Sequence, residues 1–244
     1  MSEGIGREFM KKTQYKFMKP SGQSRGFPPP PLELEYDKSL STIHLPSPSS
    51  ISVREMNLRT VIERRESIRK YSSESMSLEE LSWLLWCTQG VKEVGHVTLR
   101  NVPSAGARHA FETFLLVNNV KNLEPGLYRY LALKHELITI NSEPDIAERL
   151  TEACLKQSHV RNSAVTFFWV AIVDRMKYRY GERGYRYLHL DAGHVCQNLY
   201  LAAENINCGV CAIAAFEDKA LNSALNVDGE NQFVIYLGTV GKKR

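Results

Sequence analysis

Apolar positions along the chain recur at fixed spacings, most densely between residues 180 and 216. Leu188, Ala192, Val195, Leu199 and Ala202 follow a 4-3-4-3 rhythm that gathers them on one face of a helix. Cys196, Tyr200, Leu201 and Ala203 make the other faces largely apolar, so this helix belongs in a core or at a subunit interface. Asn205 and Asn207 loosen the rhythm, Gly209 ends it, and the apolar run Val210 to Phe216 follows. Small residues at Ala212, Ala214 and Ala215 leave the backbone of that run open to a flat group. Val165 to Val173 is apolar on both faces and predicts a central strand. Gly126 to Tyr130 and Glu136 to Ile140 alternate like the two arms of a hairpin, and further strands are predicted around Phe114 to Val117 and at Gln232 to Leu237. Ser77 with Glu80 forms a capping-box signal ahead of the stripe Leu78, Leu81, Leu84 and Leu85, which ends near Gly90. Ser52 with Glu55 gives the same signal for a helix through Met56, Leu58, Val61 and Ile62 to about Arg65. Pro144 predicts a helix reaching about Gln157, and a short helix is expected near Asp218 to Leu225. Hairpins mixed with helices predict an α+β fold, a mostly antiparallel sheet flanked by helices, rather than a doubly wound parallel sheet.

Composition divides the chain in two. Residues 1–50 carry Pro28 to Pro31, Pro46 and Pro48 with scattered apolar residues, which predicts an extended proline-rich arm, mobile to about Gly26. Residues 51–244 are expected to form one domain. At 43% hydrophobic the 244 residues can build a sizeable core. A net charge of +4, much of it within the first nineteen residues, is too small to predict a nucleic-acid partner. No apolar run reaches the ~20 residues of a membrane span, and the basic N-terminus lacks the apolar core of a secretory signal. Five cysteines, an odd count mostly inside apolar segments, predict free thiols and a cytoplasmic location.

Candidate chemistry narrows to one turn. Cys208-Gly-Val-Cys211 has no second ligand pair for zinc and does not open a helix, so structural cysteines are expected. His189 and His194 do not share a helical face, and His96 and His109 sit near a loop. The dinucleotide fingerprint, the Walker loop and the Gly-x-Ser-x-Gly hydrolase signature are absent from the sequence. Arg64 to Tyr71, by contrast, offers Arg64, Arg65, Ser67, Arg69 and Lys70 as phosphate donors, and arginine forks match phosphate geometry. The alternative is a solvated charge run between two helices. A second basic cluster, Lys242-Lys243-Arg244, ends the sequence.

Five segments then occur in order: Arg65-x-Ser67-x-Arg69, Pro103-Ser-Ala-Gly-Ala-Arg-His109, Tyr180-Gly-Glu-Arg-Gly-Tyr-Arg-Tyr187, Asp191-Ala-Gly-His194 and Gly238-Thr-Val-Gly-Lys242. Together they resemble the nitroreductase-like FMN flavoproteins, and within them the SagB/ThcOx-type branch that includes azoline dehydrogenases. The likeness spans about Ile51 to Lys242, with 180–194 its most specific part. It implies an intertwined homodimer with FMN at the subunit interface. By the same resemblance Arg65, Ser67 and Arg69 contact the phosphate and ribityl chain, with Lys242 a second cation on the phosphate. Pro103, Ser104 and Ala105 match the segment that the partner subunit lays against the flavin, while Ile213, Ala214 and Ala215 fall where the backbone faces the flavin near N5. Glu66 departs from a position often basic in the family, and Ala214 replaces a glutamate common in plain nitroreductases. The implied activity is hydride transfer at flavin N5 on a heterocycle (an azoline) or another small-molecule or peptide substrate. Reduction of nitro compounds or quinones by NAD(P)H, and a flavin-binding scaffold subunit of a peptide-modification complex, are the alternatives. Tyr180, Tyr185 and Tyr187 are candidates only through the resemblance, and no general acid or base is identified.

Overall fold

The structure, a computed structural model, describes residues 4–244. Its strands are β1 (Thr42–His44), β2 (Val91–Val94), β3 (Thr98–Arg100), β4 (Phe111–Val117), β5 (Gly126–Leu131), β6 (Glu136–Asn141), β7 (Val165–Ile172), β8 (Cys208–Ile213) and β9 (Gln232–Lys242). The helices are α1 (Ile5–Lys12), α2 (Leu58–Arg64), α3 (Leu78–Gln89), α4 (Ile146–Ala153), α5 (His159–Asn162), α6 (Val173–Tyr180), α7 (Gly184–Glu204) and α8 (Asp218–Ala224). Seven strands form one sheet in the order β1-β6-β5-β4-β7-β9-β8, while β2 and β3 make a separate hairpin. All these strand pairings are antiparallel, as the mixture of hairpins and helices predicts.

Burial explains the layering. β7 lies between β4 and β9 and is buried along its whole length. Phe167 and Trp169 enter one apolar cluster with Leu81, Leu84 and Leu85 of α3 and Leu188, Val195 and Leu199 of α7. Phe168 and Val170 enter the other, with Leu150 of α4, Val160 of α5 and Leu221 of α8. The alternation follows from the two-residue period of a strand. The Ser77–Glu80 capping box forms as predicted, with Glu80 N donating to Ser77 Oγ and Ser77 N to Glu80 Oε2.

The departures have local causes. α2 starts at Leu58, because Asn57 caps it by accepting from Thr60 N at 2.9 Å; Ser52 and Glu55 lie outside the helix. Arg54, in the extended stretch before it, is held by Asn205 Nδ2 donating to its carbonyl at 2.7 Å. α4 stops at Ala153, short of Gln157, because Leu155 and Lys156 turn left-handed at φ 55 and 61. β8 ends at Ile213 rather than Phe216, and β9 runs five residues past Leu237 to pair with it. The stripe on α7 is buried as predicted, but the helix is not apolar all round. His189, Leu190, Gly193, His194 and Gln197 face outward, and Leu190 is 60% exposed.

Two contact sets tie residues 4–50 to the rest. Arg186 donates to Met10 O and Thr13 Oγ1, and Arg183 Nη1 to Thr13 O, which docks the end of α1 on the start of α7. Farther on, Arg175 Nε bonds Pro31 O, Leu34 N bonds Glu112 Oε1 and Arg129 bonds Leu34 O, so the proline-rich stretch crosses β4 and β5.

Candidate active site

The cationic turn lies against the free edge of β8. Ile68 N donates to Val210 O at 2.9 Å, and Ser67 pairs with Val210 in a parallel bridge. Two glycines make room for it. A Cβ on Gly209 would fall 2.5 Å from Ile68 Cδ1, and one on Gly241 2.6 Å from the Tyr71 ring. Tyr71 then locks the turn by hydrogen bonds to Ile68 O (2.8 Å) and Thr239 Oγ1 (2.7 Å). Burial pushes its phenol well above the usual range, so it stays neutral.

Tyr200, on α7, organises the donors. Its hydroxyl accepts from Ala212 N at 2.9 Å and lies 2.9 Å from Ser67 Oγ. If the tyrosine proton goes to Ser67, the serine keeps its own proton for a ligand. The Arg65 guanidinium sits 5.5 Å above the same ring, a cation–π distance. The charge of Arg69 reaches Tyr71, His159 and Cys211, and among these His159 is buried with no partner for Nε2. Burial, then Arg69, holds the His159 ring below the ordinary histidine range. Neither Tyr200 nor His159 carries a spacing that marks it in the sequence; each is found only once α7 and α5 are packed against the turn.

The other expected residues divide. β8 carries Ile213 into the second apolar cluster, while Ala214 and Ala215 are exposed beyond its end, with Gln157 Nε2 donating to Ala215 O. The turn that carries Arg65, Ser67 and Arg69 thus lies along the β8 edge, and the alanine pair follows the strand's end. Lys242 reaches it only through its backbone, where Ser72 N bonds Lys242 O at 3.0 Å. Its ammonium turns inward to Glu80 and to Ile206 O at 3.0 Å, on the face that Val240 also occupies. At that end of β9 the side chain lying against the turn is Arg244, whose Nε donates to Tyr71 O.

Pro103, Ser104 and Ala105 sit against the first half of α7. Asp191 clamps them, accepting from Ser104 Oγ at 2.6 Å and from Ala105 N at 3.2 Å. Burial raises the Asp191 carboxyl, and these donors oppose the shift. Tyr180 packs under the same loop; a Cβ on Gly106, at φ +58, would come 2.6 Å from its hydroxyl. Tyr187 is engaged by Tyr15 (3.1 Å) and Arg183 (2.8 Å), and Tyr185 packs against the core. Asp191 and Tyr200 are nine positions apart, about 14 Å along the helix axis and half a turn around it, so the loop and the turn lie on opposite faces of α7. The cysteines are free, with burial pushing the Cys208 thiol up to about 12, and among the described residues no cluster suits a metal ion.

Residues 62–242 match the model of the nitroreductase family. The chain belongs to that family, and its activity is that of an FMN-dependent oxidoreductase. It is 32% identical to MJ1384 of Methanocaldococcus jannaschii, a nitroreductase by name, covering 78% of this chain and 93% of that protein. It is 28% identical over 145 residues to the trifolitoxin-processing protein TfxB of Rhizobium leguminosarum bv. trifolii, covering 58% of this chain and 39% of TfxB. Among solved structures, a nitroreductase by name from Anabaena variabilis is 31% identical at a TM-score of 0.69; the match covers 85% of this chain and 42% of that one. Two others share the fold: the E. coli microcin synthetase McbBCD complex with truncated pro-MccB17 bound (20%, TM-score 0.61, 87% of this chain and 78% of that one) and a Desulfovibrio desulfuricans protein in complex with FMN (17%, TM-score 0.56, 78% and 87%).

The residues at the β8 edge fit FMN. Arg65, Ser67 and Arg69 put guanidinium and hydroxyl groups suited to a phosphate on one turn, the two alanines beyond β8 are exposed, and His159 Nε2 is an orphaned polar atom within reach of the Arg69 charge. Among the described residues no helix is long and apolar enough to cross a membrane.

Proposed function

We propose that the chain works as a homodimer in which FMN lies along the β8 edge of one protomer and under the 103–105 loop of the other. The single observation that carries this is the division of the site: α7 holds the cationic turn through Tyr200 on one face and the loop through Asp191 on the opposite face. A site needing both is completed by a second copy that brings its loop to the first copy's turn. The outward face of α7, with Leu190 exposed, is the surface for that contact.

Bound FMN supplies hydride acceptance and donation at N5. Arg65 and Arg69 hold the phosphate and ribityl end, and Ser67 donates from the hydroxyl that Tyr200 orients. Ala214 and Ala215 keep side chains out of the space above the backbone. Asp191 fixes the loop that excludes water from the far face. We favour dehydrogenation of a heterocycle in a peptide or small organic substrate, since TfxB is a trifolitoxin-processing protein and the microcin synthetase McbBCD has truncated pro-MccB17 bound. Reduction of nitroarenes or quinones by NAD(P)H is the second reading, favoured by the likeness to MJ1384.

Purified protein is expected to be yellow and to release FMN rather than FAD on extraction. Anaerobic mixing with NADPH and with a thiazoline peptide separates the substrates. Bleaching of the flavin band by the thiazoline peptide, with thiazole formed, supports dehydrogenation; bleaching by NADPH with nitroarene turnover alone supports reduction. Colourless protein that takes up no added FMN contradicts both.

A further inference from the structure

A second cationic site lies away from the β8 edge, in a cleft of about 320 Å³ closed by the proline-rich strap. Its walls are Pro29 to Leu32, Gly95 and His96 at the tip of the β2–β3 hairpin, Ala107 and Arg108 of the loop after β3, and Arg175 of α6. No carboxylate lines it. Arg175 is anchored, its Nε on Pro31 O (2.8 Å) and its Nη2 on Glu112 Oε1 (2.6 Å), and its third nitrogen, Nη1, is buried without a partner. Arg108 donates through Nε to Gly106 O at 3.0 Å, and its guanidinium lies 5.9 Å from the centre of the Tyr178 ring, which leaves both Nη groups without a hydrogen-bond partner among the described residues. Arg179 stands on the same loop, since a Cβ on Gly106 would meet its Cδ at 2.8 Å. Burial, then the like charge of Arg179, depresses Arg108, and no acidic side chain acts on it in return. The prolines contribute no N–H, so the donors in this cleft come from the arginines, His96 and the hairpin backbone.

Glu112 neutralises Arg175, but Arg108 and Arg179 are held together with no carboxylate among the described residues paired to either, so they repel, and partial burial of Arg108 removes the water that would screen them. The left-handed residues Gly106 and Ala107 (φ 58 and 52) aim the chain so that Arg108 follows directly into the cleft. We propose that this cleft binds a small oxyanion, the phosphate or carboxylate end of a ligand, between Arg108 and Arg175. Arg108 supplies its two free Nη donors and Arg179 adds long-range attraction. The site is independent of the phosphate donors at Arg65 to Arg69, and the strap over it gives the proline-rich segment a role as one wall.

Calorimetric titration of FMN-saturated protein tests this, because bound FMN occupies the other phosphate site. Inorganic pyrophosphate and succinate are titrated separately at matched ionic strength, with sodium chloride as control. Saturable one-to-one binding of pyrophosphate, succinate or both is expected, and the stronger of the two identifies the source of the oxyanion. Arg108→Gln should weaken that binding at least tenfold while FMN content and circular dichroism stay unchanged. Arg179→Gln should weaken it severalfold and serves as the second variant if Arg108→Gln does not fold. No saturable binding of either anion, equal heats from chloride, or binding that survives both substitutions overturns the proposal.

Discussion

His109 joins structure to pH most directly. It is buried next to the 104–108 loop, takes a left-handed backbone at φ 43, and donates its N–H to Ser104 Oγ. Burial, followed by the charge of Arg100, pushes its ring down to about 3. The folded protein therefore refuses a proton that the unfolded chain accepts near its ordinary value of ~6.5. A depressed histidine contributes stability that is present above the unfolded pKa and lost as pH falls. Between pH 7 and pH 5 the loss from this one ring is ~2 kcal/mol. His109→Asn keeps a residue tolerant of the left-handed region and removes the titrating ring. Urea unfolding at the two pH values should show a flatter pH dependence in the variant by about that amount; an unchanged slope would mean that the ring protonates in place. His135 is also depressed by burial but closes a satisfied chain, with Tyr130 at 2.7 Å on Nδ1 and Ser82 at 2.7 Å on Nε2. His135 is thus a structural histidine, whereas His159 keeps an orphaned Nε2.

At the scale of elements, α7 carries both of its tasks on separate faces. Val195 and Leu199 are buried within their own chain, so an aspartate there strikes folding before it strikes association. Leu199→Asp should cost several kcal/mol through an unpaired buried charge and give protein that fails to fold. Leu190→Asp should leave circular dichroism intact and shift sedimentation from dimer to monomer. A dimer that survives Leu190→Asp unaltered would move the interface to another surface. The helix itself is legible in the sequence because its stripe persists over four turns, and β7 is legible because both its faces are apolar. What the sequence does not carry is facing. The family resemblance implies Lys242 as a second phosphate cation, yet strand alternation puts its side chain beside Val240, on the Glu80 side of the sheet. Likewise the Ser52–Glu55 pair satisfies the spacing of a capping box, and Asn57 wins because the preceding stretch is held extended by α7. Short elements such as β1 and the β2–β3 hairpin have too few residues to set up a period.

For the molecule as a whole, the sheet acts as a frame whose β8 edge stays free for the cationic turn. The turn is legible in the sequence as a cationic run from Arg64 to Lys70, and the family resemblance singles out Arg65, Ser67 and Arg69 within it. Their arrangement is not, since it depends on Gly209 and Gly241 on adjacent strands and on Tyr200 from a helix 133 positions away from Ser67. The pairing of the 103–105 loop with Asp191 likewise joins two motifs that the sequence presents separately. The central claim is that this turn holds the phosphate of FMN, and fluorescence titration of the apoprotein with FMN tests it most directly. Arg65→Ala removes a charge-assisted contact of the kind whose loss costs on the order of 2–5 kcal/mol, or roughly 30- to several-thousand-fold in affinity. Arg65→Lys should recover only part of that, because an ammonium lacks the planar fork. A loss of at least 30-fold in Arg65→Ala, larger at low salt than at high, is the predicted result; binding of FMN as tight as in the unaltered protein would contradict the placement of the phosphate.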